Sequence, residues 1–383
     1  MLLRIIRKEI LEHMMSLRFA IACVLCFTVI LASLFVRGEE YLLVAGDYRE
    51  ESVALKYDLE RMEHPWQLVW RGITVNQAPN PLKVFVRGME EGNGMSVRIR
   101  AHQPPQLLAA DERDPLTQLF QSMDLVNFVG IVMSLLAIVF GYDAICGEKE
   151  RGTLRLMLSY SVPRDRLLLA KWIGGYVSLV IPFLLAALGG AAIVMVQSEF
   201  SLSAAQWLKL AALAGLALVY IAAMYWMAIW VSCITHRQAT SVLVLATIWL
   251  VLILAIPNLS PYVARSLRPT RNPLEIEIAR AAARSDIWKR EVDEKMKAYD
   301  EANGFGEKWH EKINWGDWAG DRLRAERRRL HSLKCEEAAN LARLDAYARL
   351  DEGFQRELDA QVSLTRWISR LSPFSCFAMF ASE

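Results

Sequence analysis

Five stretches of this chain, residues 19–36, 125–142, 172–198, 210–235 and 238–257, contain no Asp, Glu, Lys, Arg or His. Each is close to or above the ~20 residues a helix needs to cross the apolar layer of a bilayer. In that layer no water satisfies a free backbone N–H or C=O, so an uncharged run of this length reads as a helix. The sequence predicts a mainly α, polytopic membrane protein with five transmembrane helices. Of the 383 residues, 54% are apolar and 22% charged, a balance that fits spans alternating with water-facing segments. A formal net charge of +2 excludes a nucleic-acid binder held by bulk charge.

The segments between the runs have their own patterns. In residues 1–18, Leu3, Ile6, Ile10 and Met14 fall at helical spacing, with Arg4, Lys8 and Glu12 on another face. This predicts an interfacial amphipathic helix, with a plain extension of the first span as the competing reading. A signal peptide fits less well, because no A-x-A-like site precedes Arg37. Residues 37–124 read as a small α+β outward domain. There 82–88 (LKVFVRG) and 95–101 (MSVRIRA) alternate apolar and polar residues around Glu90-Glu91-Gly92-Asn93-Gly94, a β-hairpin signal.

Residues 258–383 read as an outward helical domain. A charged, Ala-rich helix over 274–303 is broken at Asn303-Gly304, and further helix follows to about 370, with Leu341, Leu344 and Ala348 at helical spacing. Together these predict an outward helical hairpin. Trp288, Trp309, Trp315 and Trp318 cluster around its tip, where packing in the hairpin core is favoured over a ligand surface. Within the spans, Pro182 predicts a kink, and Ala186 with Gly190 forms an A-x-x-x-G pair suited to close helix packing. Six cysteines have no His cluster beside them, so no zinc site is expected. Cys335 and Cys376 share a side in this topology and read either as a disulfide or as two thiols.

Orientation follows from the short loops. Arg4, Arg7, Lys8 and Arg18 fall on the same side as Lys149, Arg151, Arg155, Arg164, Arg166, Lys171 and Arg237, whereas the opposite loop, 199–209, has only Lys209. The positive-inside rule places the N-terminus and the 143–171 loop in the cytoplasm. The chain lacks a P-loop, HExxH or G-x-S-x-G motif, so neither ATP binding nor catalysis is expected of it. Glu148 and Glu150 alternate with Lys149 and Arg151, which fits interface charges better than an acid/base pair. A charge at mid-membrane costs about 2.5–3.5 kcal/mol and is usually kept for function. Spans without any charge argue against a proton relay, so a transport cycle would need energy from elsewhere.

One stretch carries a family signature. A span ending in Tyr142-Asp143 is followed by Gly147-Glu148-Lys149-Glu150-Arg151-Gly152-Thr153-Leu154, then Ser159, Pro163-Arg164 and a Leu-rich lead into Lys171. This combination resembles the permease subunits of ABC transporters of the ABC-2 type, in a bacterial subgroup with large outward insertions. The likeness in layout covers most of the chain and is sharp around the loop. The family usually has six spans and five are counted here, the sixth being expected after Leu371-Ser372-Pro373.

The resemblance implies a non-catalytic permease subunit of an ATP-driven exporter in the bacterial inner (plasma) membrane. Its partners would be ABC ATPase subunits, which hold the ATP and Mg, and a second permease copy or paralogue, all within the lipid bilayer. The alternative is a non-transporting ABC complex that passes ATPase-driven motion to periplasmic partners. In the family the loop after the second span is a coupling helix that docks on the ATPase. Carried over, the coupling residues are Asp143, Glu148, Lys149, Glu150, Arg151, Gly152, Thr153 and Leu154. Gly152 permits a turn and Thr153 can cap the helix after it. On the residues alone, a positive-inside loop with a helix cap accounts for the same stretch.

Overall fold

A computed structural model describes residues 2–61, 72–86, 96–99, 106–108, 124–154, 163–196, 202–305 and 318–382. The chain forms two compact units, Met1–Leu259 with Ile368–Glu383, and Ser260–Trp367.

The first unit is built from apolar helices. Helix α1 (Leu2–Met14) leads into α2 (Leu17–Glu60) through Ser16, whose hydroxyl accepts from the Phe19 N–H at 3.3 Å and caps α2. The second apolar run lies in Leu125–Glu150. Asp124 caps its start by accepting from the Asn127 N–H at 2.7 Å. A π-helical turn follows at Phe128–Met133, then α3 (Ser134–Gly141) and, past a turn, the short α4 (Cys146–Glu150). Next come α5 (Arg164–Val196), α6 (Ala204–Ile234) and α7 (Gln238–Leu267). A capping box starts α6: the Ser203 hydroxyl accepts from Gln206 N–H, and the Gln206 side chain accepts from Ser203 N–H. Among the described residues, five helical stretches are long and apolar enough to cross a membrane.

Their packing follows small residues. Helix α2 buries Ala22, Cys26, Ile30 and Leu34, an i, i+4 ridge, while Ile21, Val24 and Phe35 on its other faces stay exposed. A helix apolar all round with one narrow buried ridge suits a lipid surround. That ridge meets the Ala186–Gly190 face of α5: a Cβ on Gly190 would come within 2.4 Å of Leu34 Cδ1. The A-x-x-x-G pair therefore serves a contact inside this chain. Pro182 is buried within α5, which continues through it.

The 37–124 segment differs from the sequence reading in two ways. Helix α2 does not stop at Val36 but runs to Glu60, because 37–60 contains no proline and is rich in helix formers. Arg37, just past the uncharged run, is 6% exposed and donates to the Lys83 carbonyl. The sheet is three-stranded, β1 (Ile73–Asn76), β2 (Ser96–Ile99) and β3 (Gln106–Leu108), antiparallel in that order with Ile73 opposite Ile99. Residues 96–99 form a strand as predicted, but their partner is 73–76. Residues 82–84 belong to a 3-10 turn, Pro81–Val84, since Pro81 lacks an N–H and the Asn80 side chain accepts from Leu82 N–H. Val84 and Phe85 join the buried core of the helices. The predicted turn at 90–94 lies outside the described residues.

The second unit is a helical hairpin. Asn272 caps α8 (Pro273–Trp288), with Pro273 in its first turn. A π-helical turn, Lys289–Asp293, leads into α9 (Glu294–Asn303), which ends on Gly304 at φ 74°. Ile287 and Val292 are both buried, though five residues in an ideal α-helix turn through about 140° beyond a full turn. The π turn returns Val292 to the face of Ile287. Helix α10 (Trp318–Ser369) runs back antiparallel, placing Cys335 and Ala339 on that face. Ion pairs tie Arg271 to Glu357, Arg280 to Asp351 and Arg328 to Asp300 along its length. Arg271 also holds the exposed Glu357 carboxyl below its ordinary range, by direct hydrogen bonds first of all.

Two expectations for this region change. Leu341 and Leu344 are exposed, at 60% and 53%; the small Cys335, Ala339, Ala342 and Ala346 face inward instead. Trp288 is 44% exposed, not core, and Trp309 and Trp315 lie outside the described residues.

The assignment of 258–383 to one outward domain is also corrected. Helix α11 (Pro373–Ser382) belongs to the first unit. Phe377 stacks on Tyr220 with centroids 5.0 Å apart, and Phe374 fills the space over Gly130, where a Cβ would meet its ring at 2.2 Å. All six cysteines are free, so the disulfide alternative for Cys335 and Cys376 is not adopted. Unreduced, denatured protein will take up an alkylating reagent at both. Native protein will leave Cys335, 4% exposed, unlabelled. A Cys335–Cys376 peptide in the unreduced digest would contradict the fold.

Candidate functional site

The loop after the second apolar run is held from several directions. Past α3, the turn 142–145 lies against α6 and α7. The Ser232 hydroxyl of α6 accepts from the Ile145 and Cys146 N–H groups at 3.1 and 3.0 Å, and so caps α4. The Ser241 hydroxyl of α7 donates to the Tyr142 carbonyl at 2.8 Å. Gly147 leaves room for its neighbours: a Cβ there would come within 2.9 Å of Gln238 Nε2 and 3.3 Å of an Arg151 guanidinium nitrogen, so both side-chain ends would have to shift.

The charged residues of α4 face their own protein. Lys149 donates to the Cys233 carbonyl and, at 3.2 Å, to the Thr235 carbonyl, placing a cation on the unsatisfied C-terminal carbonyls of α6. Glu150 accepts from the Gln238 N–H at 3.0 Å, placing an anion on the N-terminus of α7. Glu148 pairs with Lys171 of α5 at 2.6 Å, and Lys171 also pairs with Glu9 of α1 at 3.2 Å. These three side chains are 15%, 7% and 10% exposed. Breaking one side of such a buried pair costs about 3–5 kcal/mol, because it strands an uncompensated charge.

Asp143 makes the remaining tie. The Arg18 guanidinium, in the first turn of α2, donates to both Asp143 oxygens at 2.9 Å. It also donates to Tyr142 Oη at 2.9 Å and the Val139 carbonyl at 3.3 Å, and lies 4.9 Å from the Tyr142 ring centre. Beside this pair, His13 stacks on Phe140 with centroids 5.7 Å apart. Burial pushes its imidazole below the ordinary value, with Glu9 opposing.

The eight residues expected from the sequence therefore divide in two. Asp143, Glu148, Lys149 and Glu150 bind the loop to α2, α5, α6 and α7. Arg151, Gly152 and Thr153 form the exposed tip, with Leu154 half-buried behind it. Arg151 bonds back through Nε to the Gly147 carbonyl at 3.1 Å, and Gly152 turns the chain at φ 73°. The Thr153 hydroxyl donates to the Glu148 carbonyl at 3.4 Å and so closes the end of α4; capping of a following helix was expected, but residues 155–162 lie outside the description.

Sequence reasoning missed Glu9, Arg18, Lys171, Ser232 and Gln238 as partners. One signal was present: Glu9 stands between Ile6 and Ile10, an acid inside the apolar stripe of α1, where it needs a buried cation. That stripe packs differently from the expectation. Glu9 is its deepest residue, Gly174 of α5 lies against its Cβ, and Leu3 and Met14 are 80% and 42% exposed.

Ser232→Ala will leave two buried N–H groups without an acceptor, at about 1–3 kcal/mol. Hydrogen exchange will show Ile145 and Cys146 amides exchanging at least ten-fold faster, with α2 amides unchanged. Unaltered exchange at both would contradict the cap.

A family profile described as ABC-2 family transporter protein matches residues 3–376. Among curated proteins, a probable ABC transporter permease protein NosY from Pseudomonas aeruginosa is 46% identical over 50 residues, 13% of this chain and 18% of that protein. The protein of the same description from Stutzerimonas stutzeri is 44% identical over 50 residues, with the same coverage. The matched stretch thus spans under a fifth of either relative. With the family match running over nearly the whole chain, and five membrane-length apolar helices among the described residues, the chain belongs to the ABC-2 transporter family.

Proposed function

We propose that this chain is the permease subunit of an ATP-driven exporter, and that Arg151–Leu154 is where a separate ABC ATPase docks. The observation that carries the reading is the bonding of α4. Glu148, Lys149 and Glu150 attach it to the third, fourth and fifth spans, while its tip is exposed. A push on the tip would reach three spans through short polar contacts, with little slack to absorb it. ATP and Mg would be held by the ATPase, and this chain would supply neither catalytic group nor cofactor. The working complex would pair it with a second permease copy or paralogue. The excess of Lys and Arg on the loop side supports a cytoplasmic tip and N-terminus, in a bacterial inner membrane.

A second reading, a non-transporting complex that moves extracytoplasmic partners, is favoured by Ser260–Trp367 being a compact unit of its own. Substrate flux in vesicles holding the full complex separates the two. The docking claim is tested by cysteines at Arg151, Gly152 and Thr153. At least one will crosslink to the ATPase, and Arg151→Glu will lower ATPase stimulation at least ten-fold while the permease still inserts. No crosslink from any of the three, in an intact complex, would refute the docking surface.

A further inference from the structure

Helix α1 runs along the boundary where apolar spans end. Its middle crosses Gly174, the third residue of the uncharged run 172–198. The approach is close: a Cβ on Gly174 would come within 2.6 Å of Glu9 Cβ and 3.5 Å of the Ile6 carbonyl oxygen. Towards its end, His13 stacks on Phe140, near the close of the run 125–142. Arg18, just ahead of the run 19–36, reaches Asp143 just past that close. The middle and the end of α1 thus both meet span ends, so its length of about 20 Å follows the bilayer surface and does not lead away from it.

The inward half of the helix holds Ile6, Glu9, Ile10 and His13 against α3 and α5. The outward half is left open. There Leu3, Leu11, Met14 and Met15 are 80%, 50%, 42% and 87% exposed. Arg4, Arg7 and Lys8 stand among them, also exposed, against the single carboxylate of Glu12. At 3.6 residues per turn all of these fall within one half of the helix. Neighbouring large apolar side chains do not suit water, and three cations do not suit the hydrocarbon layer.

The headgroup zone, the medium at this level, suits both. Apolar side chains enter the acyl boundary there, while long basic chains extend to the phosphates. We propose that the outward half of α1 binds phospholipid, with a preference for anionic headgroups. Arg4, Arg7, Lys8, Leu11, Glu12 and Met15 frame a groove of about 490 Å³ at this face. A choline headgroup would add a further cation beside the three already present, whereas a glycerol headgroup brings the phosphate alone. Ile6 and Ile10, from the apolar stripe read in the sequence, turn to the protein; Leu11 and Met15 take the lipid side. Docking of an ATPase is not needed for this contact, so the two proposals fail separately.

The test uses the full chain in phosphatidylcholine nanodiscs with a minor share of phosphatidylglycerol. A photocrosslinking benzoylphenylalanine replaces Leu11 or, separately, Met15, and mass spectrometry identifies what it captures. Both positions will capture lipid, with phosphatidylglycerol at least three-fold above its share. The same probe in place of Leu185, 55% exposed midway along the run 172–198, will capture the two lipids in proportion to their shares. Arg4→Gln, Arg7→Gln and Lys8→Gln combined will abolish the enrichment and keep the capture, because the apolar side chains remain on the bilayer. Arg4→Lys with Arg7→Lys will keep both, since charge and not the guanidinium fork is required. If the triple variant fails to insert, Arg4→Gln with Arg7→Gln alone will at least halve the enrichment. No lipid captured at either position, a crosslink to protein in its place, capture without enrichment in the parent, or enrichment unchanged in the neutralised variant would each overturn the proposal.

Discussion

Lys171 between Glu9 and Glu148 is the interaction on which the arrangement of the loop depends. One cation at the head of α5 holds a carboxylate from α1 and another from α4. Three segments far apart in sequence meet at one buried nitrogen. Little water screens these charges, so they attract more strongly than a surface pair would, and none can leave without stranding another. Around this point the other ties are short and specific: Arg18 on Asp143, Ser232 beneath the turn, Lys149 on the end of α6 and Glu150 on the start of α7. The spans themselves pack through apolar ridges and small residues, which in lipid fix closeness more than direction. Polar contacts at one end supply the direction.

Such an arrangement suits a part that must move as one piece. Opposite helix ends, the C-terminus of α6 and the N-terminus of α7, are bound by adjacent side chains of opposite sign, Lys149 and Glu150. Charge alternation in the loop thus has an internal use, and only the tip is left to meet another protein. The second unit contrasts with this. Its hairpin is held by a modest core of Ile287, Val292, Cys335 and Ala339 and by part-exposed ion pairs worth about 0–1 kcal/mol each. It is a polar structure with ion pairs spaced along its length.

Much of the fold was legible because lipid forces it to be. An uncharged run such as 210–235 has no stable state in a bilayer other than a helix, and α6 covers it. The break at Gly304 was legible because only glycine takes that backbone angle cheaply. The helix beyond Val36 was not, since a loss of hydrophobicity marks the end of a span, not the end of a helix. The alternation over 82–88 misled because Pro81 and Asn80 outweigh it, and because the four-residue strand at 73–76 is too short to signal itself. At the site, the charged cluster announced the loop, but alternating charge does not say what it pairs with. Glu148, Lys149 and Glu150 read as a surface and turned out to be attachments, because their partners come from α5, α6 and α7.

The central claim, that the buried Glu9–Lys171–Glu148 cluster holds the loop to the bundle, is tested most directly by comparing Lys171→Met alone with Lys171→Met combined with Glu9→Gln and Glu148→Gln. Chemical denaturation in mild detergent, with limited proteolysis of α1 as a second readout, gives the answer. The single variant will lose on the order of 3–5 kcal/mol and expose α1 to protease, and neutralising both carboxylates will recover more than half of that loss. A single variant as stable as the parent, or a triple variant no more stable than the single, would contradict the account.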